Sequence, residues 1–182
     1  MAKCLYFGHP VRKSVILLTI ICKYLSAIFM EQTLVILKPC TIQRGLIGEI
    51  INRFERKGLS LVGMKMLWLT EDTLNEHYSH LADKPYFTRV KEGMRRCPVI
   101  VCCWQGVEAV RVVRELTGKT NGRNAQPGTI RGDYSVSTQE NIIHASDSLE
   151  TASSELKRFF KQDEIFSYEQ SLFTNLYAPD EV

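Results

Sequence analysis

The chain has 182 residues, a length that fits one domain with a buried core better than two domains. All 20 acidic residues lie from Met30 onward, together with 19 of the 23 basic residues, because residues 1–29 contain Lys3, Arg12, Lys13, Lys23 and no acid. The net charge of +3 therefore comes from the first 29 residues. The near-neutral remainder argues against a general nucleic-acid-binding surface.

Residues 1–29 are interpreted as a separate N-terminal extension. Arg12 and Lys13 precede an apolar stretch at residues 15–22, which is typical of a signal-peptide core and too short for a transmembrane helix. A second interpretation is that these residues lie upstream of a true start at Met30. The strand predicted directly after Met30 favours this second interpretation, and residues 30–182 are then the folded domain.

The six cysteines do not indicate a metal site or a disulfide framework. No C-x-x-C pair occurs, so ligation of zinc by thiolates is not expected. Cys102 and Cys103 lie inside an apolar run, where free cysteine behaves as a small hydrophobic residue. A reducing compartment is the expected setting, and we predict a cytoplasmic location.

From residue 33 onward, segments with the apolar pattern of strands alternate with segments that have the pattern of amphipathic helices. Strands are predicted at residues 33–37, 59–69 and 99–104, and a fourth strand is predicted to end at Ile142 and Ile143. Helices are predicted at residues 45–57, after Thr70, after Pro85, at residues 106–116 and around Ala152, Leu156, Phe159 and Phe160. Residues 117–133 contain four glycines and a proline and are predicted as a loop.

This order of elements predicts an α/β chain of the α+β type. The expected architecture is a ferredoxin-like split β-α-β sandwich, a four-stranded antiparallel sheet with the helices packed on one face. No internal repeat accompanies the pattern, and the tail to Val182 shows no clear periodicity.

The stretch 141–148, Asn-Ile-Ile-His-Ala-Ser-Asp-Ser, places His144 where a buried strand meets residues that cap helices. A helix start attracts phosphate and disfavours an imidazolium, so a neutral His144 there could act as a nucleophile. A lone histidine at a strand end can equally satisfy its hydrogen bonds in a turn. A histidine in such a position, considered by itself, is more often a structural residue than a nucleophile.

Several groups suited to phosphate binding lie at strand ends or in the long loop. They are cationic or hydroxyl-bearing side chains, namely Lys38, Arg114, Thr120 and Arg131. Taken singly, each is more often a solvated charge or a cap. No Walker loop and no G-x-G-x-x-G motif is present, which excludes two common nucleotide-binding folds.

Six stretches together resemble the nucleoside diphosphate kinase family: residues 37–39 (LKP), 43–50 (QRGLIGEI), 53–55 (RFE), 76–78 (EHY), 127–133 (PGTIRGD) and 141–148 (NIIHASDS). The resemblance spans about residues 31–178. It implies a nucleoside diphosphate kinase-like catalytic domain that transfers the γ-phosphate of a nucleoside triphosphate, mainly ATP, to a nucleoside diphosphate by a ping-pong mechanism.

The resemblance also implies roles for individual residues. His144 becomes the phosphohistidine, with the pros nitrogen as the candidate, while Glu155 and Tyr78 surround and orient it and Ser146 and Asp147 frame it. Phosphates would be bound by Lys38, Arg114, Thr120 and Arg131, with Mg²⁺ held mainly by the nucleotide phosphates rather than by protein side chains. The base would stack on Tyr86 beside Val90, and the sugar hydroxyls would meet Asn141 and Lys38.

The implied partners are nucleoside tri- and diphosphates and further copies of the chain in a hexamer or tetramer. No specific nucleic acid and no membrane are expected as partners of the domain. Two other classes stay open from the residues alone. They are a ferredoxin-like binding module for nucleic acids or regulators, and an inactive oligomeric scaffold that retains the fold.

The chain departs from the family pattern at three positions. Cys40 stands where aspartate usually follows Lys-Pro, Tyr86 replaces the commoner phenylalanine and keeps a stacking ring, and Gly122 stands where proline is often found. Because proline restricts the unfolded chain, Gly122→Pro is expected to raise the melting temperature if the local backbone permits it.

Overall fold

The computed structural model describes residues 30–168, 170 and 173–178. The predicted extension, residues 1–29, lies outside the described residues. The described strands are β1 (Met30–Leu37), β2 (Ser60–Leu67), β3 (Val99–Val107) and β4 (Ile143–Ala145). The described helices are α1 (Pro39–Gln43), α2 (Ile47–Arg56), α3 (Glu71–His77), α4 (Phe87–Met94), α5 (Ala109–Thr117), α6 (Ile130–Tyr134), α7 (Leu149–Phe159) and α8 (Phe173–Leu176).

The four strands form one antiparallel sheet in the order β2-β3-β1-β4. In the register of β1, Leu37 lies opposite both Ile100 of β3 and Ile143 of β4. This arrangement confirms the predicted ferredoxin-like α+β fold. It places the end of β1, and therefore Lys38, beside the short strand that carries His144.

Helices cover both faces of the sheet, so the expectation that they pack on one face is wrong. Val35 and Leu37 of β1 point into a cluster with Phe54 of α2 and Val113 of α5. The alternate residues of β1 point into a second cluster that includes Leu74 of α3 and residues of α7. Because both faces of β1 are buried, its sequence is a continuous apolar run without polar alternation.

Several predicted boundaries differ from the structure. Gly106 and Val107 continue β3 by pairing with the start of β1, and α5 begins only after Glu108, whose φ of 49° is left-handed and ends the strand. The predicted loop contains α6, whose first turn is capped by the Thr129 side chain. The predicted strand end at Ile142 is instead the residue before β4, with φ 71°.

Two predicted helix starts are confirmed by their capping contacts. The side chain of Thr70 accepts a hydrogen bond from the backbone N–H of Thr73, and that of Ser148 accepts one from Thr151. Within the described ranges, no helix has the length and apolar character needed to cross a membrane.

Candidate active site

His144 lies in β4 with about a quarter of its side chain exposed. It lies opposite Ile36 of β1 in the strand register, which fixes its position on the outer strand of the described sheet. Ile142, two residues earlier, is β-branched and has a positive φ, an unfavourable conformation that persists only when surrounding contacts impose it. Those contacts come from β1 and α1, since the Ile142 carbonyl accepts hydrogen bonds from the Lys38 backbone and the Thr41 side chain.

The side chain of Glu155, on α7, contacts His144 on the Nε2 side of the ring. Its Oε1 lies 2.9 Å from Nε2 of His144, and its Oε2 accepts a hydrogen bond of 2.5 Å from the hydroxyl of Ser146. Burial alone would raise the pKa of Glu155, but the hydrogen bonds from His144 and Ser146 outweigh it and lower that pKa. The carboxylate is therefore ionised and can only accept, so Nε2 of His144 carries the proton.

The second ring nitrogen of His144, Nδ1, makes no hydrogen bond to any residue that the structure describes. With Nε2 protonated, Nδ1 carries the free lone pair of the neutral ring. Nδ1, the pros nitrogen, is therefore the ring nitrogen whose lone pair is available.

His77, at the end of α3, packs edge-on against His144 with ring centroids 4.6 Å apart. Only 1% of its side chain is exposed, and its Nδ1 lies 3.5 Å from Oε1 of Glu155. Burial, together with the neighbouring His144, lowers the pKa of His77 to about 3, so the ring is neutral. Its Nε2 is buried without a hydrogen-bond partner among the described residues.

Tyr78 lies on the cavity wall beside His77. Its ring packs on His77 at 4.6 Å between centroids, and its hydroxyl is buried without a partner in the described part of the chain. Burial raises the pKa of Tyr78, so the phenol stays protonated. Because His77 also packs against His144, Tyr78 supports the ring that contacts His144.

Three cationic side chains face the same space from different elements. Lys38 follows β1 and donates a 2.6 Å hydrogen bond to the side-chain oxygen of Asn141. Removal from water and the nearby Arg131 lower the pKa of Lys38 to about 8. Arg114 of α5 donates to the carbonyl of Ala145 at 3.3 Å, next to His144.

Arg131 is buried, and it donates to the backbone carbonyls of Gly118, Asn141 and Ile143 at 2.8, 3.2 and 2.7 Å. A guanidinium has five N–H groups, so part of its donor capacity is left for a ligand. Burial, and then the charge of Arg114, lower the pKa of Arg131 to about 10. Arg131 therefore joins the long loop to the start of β4 while keeping its charge at neutral pH.

Asn141 connects the two sides of this region. Its amide nitrogen donates to the carbonyls of Thr120 and Thr138 at 3.0 and 2.7 Å, while its oxygen accepts from Lys38. Thr120 thus enters the site through its backbone, and its side chain is exposed. Cys40, one of the departures from the pattern, is buried under β1, where it contributes to the core.

Tyr86 and Val90 line the cavity from the start and from the middle of α4. Tyr86 is 40% exposed, so part of it is accessible to a ligand. Gln139 donates to the backbone carbonyl of Arg89 at 3.1 Å and so ties α4 to the segment before β4.

One cavity of about 1220 Å³ brings these residues together. Its walls include every predicted site residue except Ser146, which lies behind Glu155: Lys38, Tyr78, Tyr86, Val90, Arg114, Thr120, Arg131, Asn141, His144, Asp147 and Glu155. The cavity therefore combines aromatic side chains, three cationic side chains and a histidine–carboxylate pair.

Known proteins share both the sequence and the fold. The family profile described as nucleoside diphosphate kinase matches residues 31–165. A nucleoside diphosphate kinase of Parabacteroides distasonis is 70% identical over 152 residues, which cover 84% of this chain and 99% of that protein. The chain belongs to the nucleoside diphosphate kinase family.

Solved structures of the family agree with this assignment. A halophilic nucleoside diphosphate kinase from Halobacterium salinarum, in complex with CDP, aligns with a TM-score of 0.80 and 39% identity, covering 81% of this chain and 99% of that one. One from Encephalitozoon cuniculi aligns with a TM-score of 0.75 and 42% identity over 81% and 99% of the two chains. The predicted family, fold and enzyme class, a kinase acting on nucleotides, are confirmed.

Sequence reasoning missed several residues of this nucleoside diphosphate kinase site. No role was predicted for His77, although it lies in the EHY stretch beside Tyr78. The remaining missed wall residues are charged or polar and include His80, Arg89, Arg96, Arg123, Gln139 and Arg158. The sequence did not indicate these residues because they lie on separate elements. Each is an ordinary surface residue in its own stretch.

Proposed function

We propose that His144 carries the phosphoryl group of the nucleoside diphosphate kinase reaction on Nδ1. The observation that supports this most directly is the hydrogen bond from Nε2 to Glu155, which leaves the Nδ1 lone pair free. In the first half-reaction, that lone pair attacks the γ-phosphorus of a nucleoside triphosphate. The bond from phosphorus to the β,γ-bridging oxygen breaks, and the nucleoside diphosphate leaves with the electron pair.

The ring then carries positive charge, which the carboxylate of Glu155 stabilises through the retained Nε2–H hydrogen bond. In the second half-reaction, a terminal phosphate oxygen of a different nucleoside diphosphate attacks the same phosphorus. The phosphorus–nitrogen bond breaks and its electron pair returns to Nδ1. The neutral ring is restored without net proton transfer to the protein.

Lys38, Arg114 and Arg131 bind the phosphates in this proposal, and Thr120 contributes a hydroxyl. Their positions around one cavity support it, since phosphoryl transfer depends mainly on positioning and on neutralising charge. Guanidinium groups offer paired donors that suit phosphate oxygens. Arg131 is also held in place by its three carbonyl contacts, so its free N–H groups need little reorganisation.

Mg²⁺ is the proposed cofactor, and the cavity wall suits a magnesium ion bound largely by the nucleotide. Mg²⁺ retains waters and takes substrate phosphates with one or two carboxylates. Asp147 is an exposed carboxylate on the wall that forms no hydrogen bond or ion pair within the described ranges, so it can supply such an oxygen. The ion would neutralise charge on the phosphate oxygens, while Lys38 and the two arginines orient them.

Tyr86 stacks on the nucleotide base, Val90 adds an apolar contact, and Asn141 with Lys38 reaches the sugar. The partial exposure of Tyr86 on the cavity wall supports this arrangement. Stacking tolerates every base, so the proposed specificity is broad, with ATP as the main donor.

We propose a homo-oligomer, a hexamer or tetramer, that uses the exposed second half of β2; the first half is covered by the backbone hydrogen bond from Phe166 to Val62. In the described part of the chain β2 is an edge strand, and its end exposes Met64, Met66 and the following Trp68 by 53%, 55% and 60%. An exposed apolar edge strand favours pairing with another copy. The four described cysteines are free thiols, which suits the proposed reducing, cytoplasmic setting.

Incubation with γ-labelled ATP and Mg²⁺ tests the assignment. The expected product is an acid-labile, alkali-stable phosphoprotein with phosphorus on Nδ1, and the label should pass to added GDP. His144→Ala should form no phosphoprotein. Label on another residue, or on Nε2 of His144, would contradict the proposed role of Nδ1.

A further inference from the structure

We propose that His77, His144 and Glu155 form a binding site for Zn²⁺, and that occupation of this site stops phosphorylation of His144. This ion differs from the Mg²⁺ that accompanies the nucleotide. The metal-binding part of the inference rests on the geometry of the three side chains. The inhibitory part also rests on the proposed function of His144.

The three residues supply a donor set that zinc prefers. Two imidazoles and one carboxylate, with a fourth position left open, are a common zinc coordination in enzymes. One ligand atom from each of His77, His144 and Glu155 lies within 4.8 Å of the others. Mg²⁺ takes oxygen ligands, so it does not compete well for a site with two ring nitrogens.

The distances in the cluster suit a single ion. Zinc lies about 2.0–2.1 Å from its nitrogen and oxygen ligands, so neighbouring ligand atoms in a tetrahedral site are about 3.4 Å apart. Oε1 of Glu155 is 3.5 Å from Nδ1 of His77 and 2.9 Å from Nε2 of His144. The two imidazole ligand atoms lie within 4.8 Å of each other, so the rings must approach by up to about 1.4 Å to bind one ion. The open position then faces the cavity, where His144 and Glu155 are wall residues.

His77 gives independent support, because its own hydrogen bonding is poor. The side chain is 1% exposed, its Nε2 has no partner in the described part of the chain, and its Nδ1 has contacts only at 3.5 Å, to Glu155 and Arg158. Buried polar groups in folded proteins are normally satisfied, so an imidazole left in this way calls for an explanation. A metal ion bound at Nδ1 would give that nitrogen a close partner, and Nε2 would carry the proton of the neutral ring.

The charges around the cluster permit a divalent ion. Glu155 supplies the negative charge of the site. The guanidinium of Arg158 is the nearest cation, and its Nε lies 2.7 Å from Oε1 of Glu76. Glu76 therefore offsets part of the charge of Arg158, and Glu155 supplies the charge that attracts Zn²⁺.

Zinc binding and phosphoryl transfer require different tautomers of His144. In the metal-free protein Nε2 carries the proton and Nδ1 the lone pair. A metal on Nε2 requires the lone pair there, and the proton of the neutral ring then resides on Nδ1. The protonated Nδ1 cannot attack phosphorus, so the metal inhibits by selecting the other tautomer as well as by displacing the hydrogen bond to Glu155.

Titration of the nucleotide-free protein with Co²⁺ tests the site without any catalytic readout. We expect one Co²⁺ per chain with the intense visible bands of a four-coordinate ion, and loss of those bands when Zn²⁺ is added. His77→Gln should weaken the binding by about tenfold or more, and Glu155→Gln should also lose the bands. His80→Gln is the matched control, since it removes another histidine of the same cavity and should leave the spectrum unchanged.

Phosphorylation by γ-labelled ATP in excess Mg²⁺ tests the inhibition. Zn²⁺ should suppress labelling of the wild-type protein, and a chelator that takes Zn²⁺ but leaves Mg²⁺ should restore it. Co²⁺ binding with octahedral bands only, binding unchanged in both ligand variants, or equal Zn²⁺ inhibition of wild type and His77→Gln would each overturn the inference. A protein that gives the four-coordinate spectrum but is never phosphorylated would refute the proposed function and leave the metal site standing.

Discussion

Nε2 of His144 donates to Oε1 of Glu155 over 2.9 Å, and this one contact leaves the lone pair of the ring on Nδ1. Glu155 is oriented in turn by the hydroxyl of Ser146 on its other oxygen. The carboxylate therefore cannot rotate away without losing two hydrogen bonds. The tautomer of His144, the proposed nucleophile, depends on a residue eleven positions further along the chain, on α7.

Glu155→Gln should slow phosphorylation of His144 by roughly 10- to 100-fold, because a hydrogen bond to a charged group contributes about 1.5–3 kcal/mol. The amide keeps the size of the side chain but loses the charge that stabilises the positive ring. Rapid-quench measurement of phosphoprotein formation checks this. Glu150→Gln, an exposed acid in the first turn of the same helix, is the control and should not change the rate. An unaltered rate in Glu155→Gln would show that the carboxylate has no such role.

Nucleotide binding should weaken above pH 8 because Lys38 loses its proton there. Removal from water and the charge of Arg131 lower the pKa of Lys38 to about 8, so the ammonium is mostly present at pH 7 and mostly absent at pH 9. A bound phosphate favours the charged form, so each ADP that binds above pH 8 takes up a proton. The affinity should then fall by up to about tenfold per pH unit.

Calorimetric titration with ADP in buffers of different ionisation enthalpy measures this proton uptake directly. Lys38→Arg is the matched variant, since a guanidinium stays charged throughout the range and its ADP affinity should be flat with pH. The same pH dependence in wild type and Lys38→Arg would assign the effect to another group.

Much of the fold follows from local patterns in the chain. The continuous apolar run at the end of β1 predicts a strand buried on both faces, and Thr70 and Ser148 mark helix starts with their own side chains. Boundaries were predicted less well where backbone geometry was decisive. The left-handed conformations of Glu108 and Ile142 arise from pairing across the sheet, which no neighbouring residue signals.

The site was predicted largely through the family resemblance, and the structure shows why patterns alone were insufficient. Lys38 and Asn141 are 103 positions apart, yet their side chains are hydrogen-bonded. His77 looks like an ordinary core residue of an amphipathic helix until β4 and α7 bring His144 and Glu155 against it. Contacts of this kind depend on tertiary packing rather than on sequence spacing.

Gly122→Ala and Gly122→Pro should both lower the melting temperature, which reverses the expectation from the sequence. A Cβ atom on Gly122 would lie 2.2 Å from the carbonyl oxygen of Ser135, and the Gly122 N–H, which proline lacks, donates to Ser137. Overpacking of this kind costs about 1–3 kcal/mol, which corresponds to a decrease of about 2–10 °C for a chain of this size.

Thermal unfolding followed by circular dichroism measures the change. Gly48→Ala is the control, because a Cβ there meets nothing within 4 Å and the residue lies in α2, where alanine is the better helix former. That variant should be as stable as wild type or slightly more so. A rise in melting temperature for Gly122→Pro would show that the loop relaxes to accept it.

Met66→Glu should dissociate the proposed oligomer at the β2 edge. A buried, unpaired carboxylate in an interface is unfavourable, whereas in a monomer the same position is exposed to water. Sedimentation velocity at several protein concentrations gives the assembly state. Thr88→Glu adds the same charge on α4, away from β2, and should leave the assembly intact. If Met66→Glu sediments like wild type, the oligomer is built on another surface.

Tyr86→Ala should raise the KM for every nucleoside diphosphate by roughly 10- to 100-fold, because stacking of an aromatic ring on a base contributes about 1–3 kcal/mol. Tyr86→Phe keeps the ring and should preserve KM, which also tests whether the tyrosine hydroxyl at this position matters. Steady-state assays with ADP, GDP and CDP show whether α4 binds the base by stacking alone or also by hydrogen bonds to the base edge. A rise in KM confined to one base would mean that this region forms hydrogen bonds with the base edge. A uniform rise in KM in the alanine variant alone would mean that stacking on the ring face is sufficient.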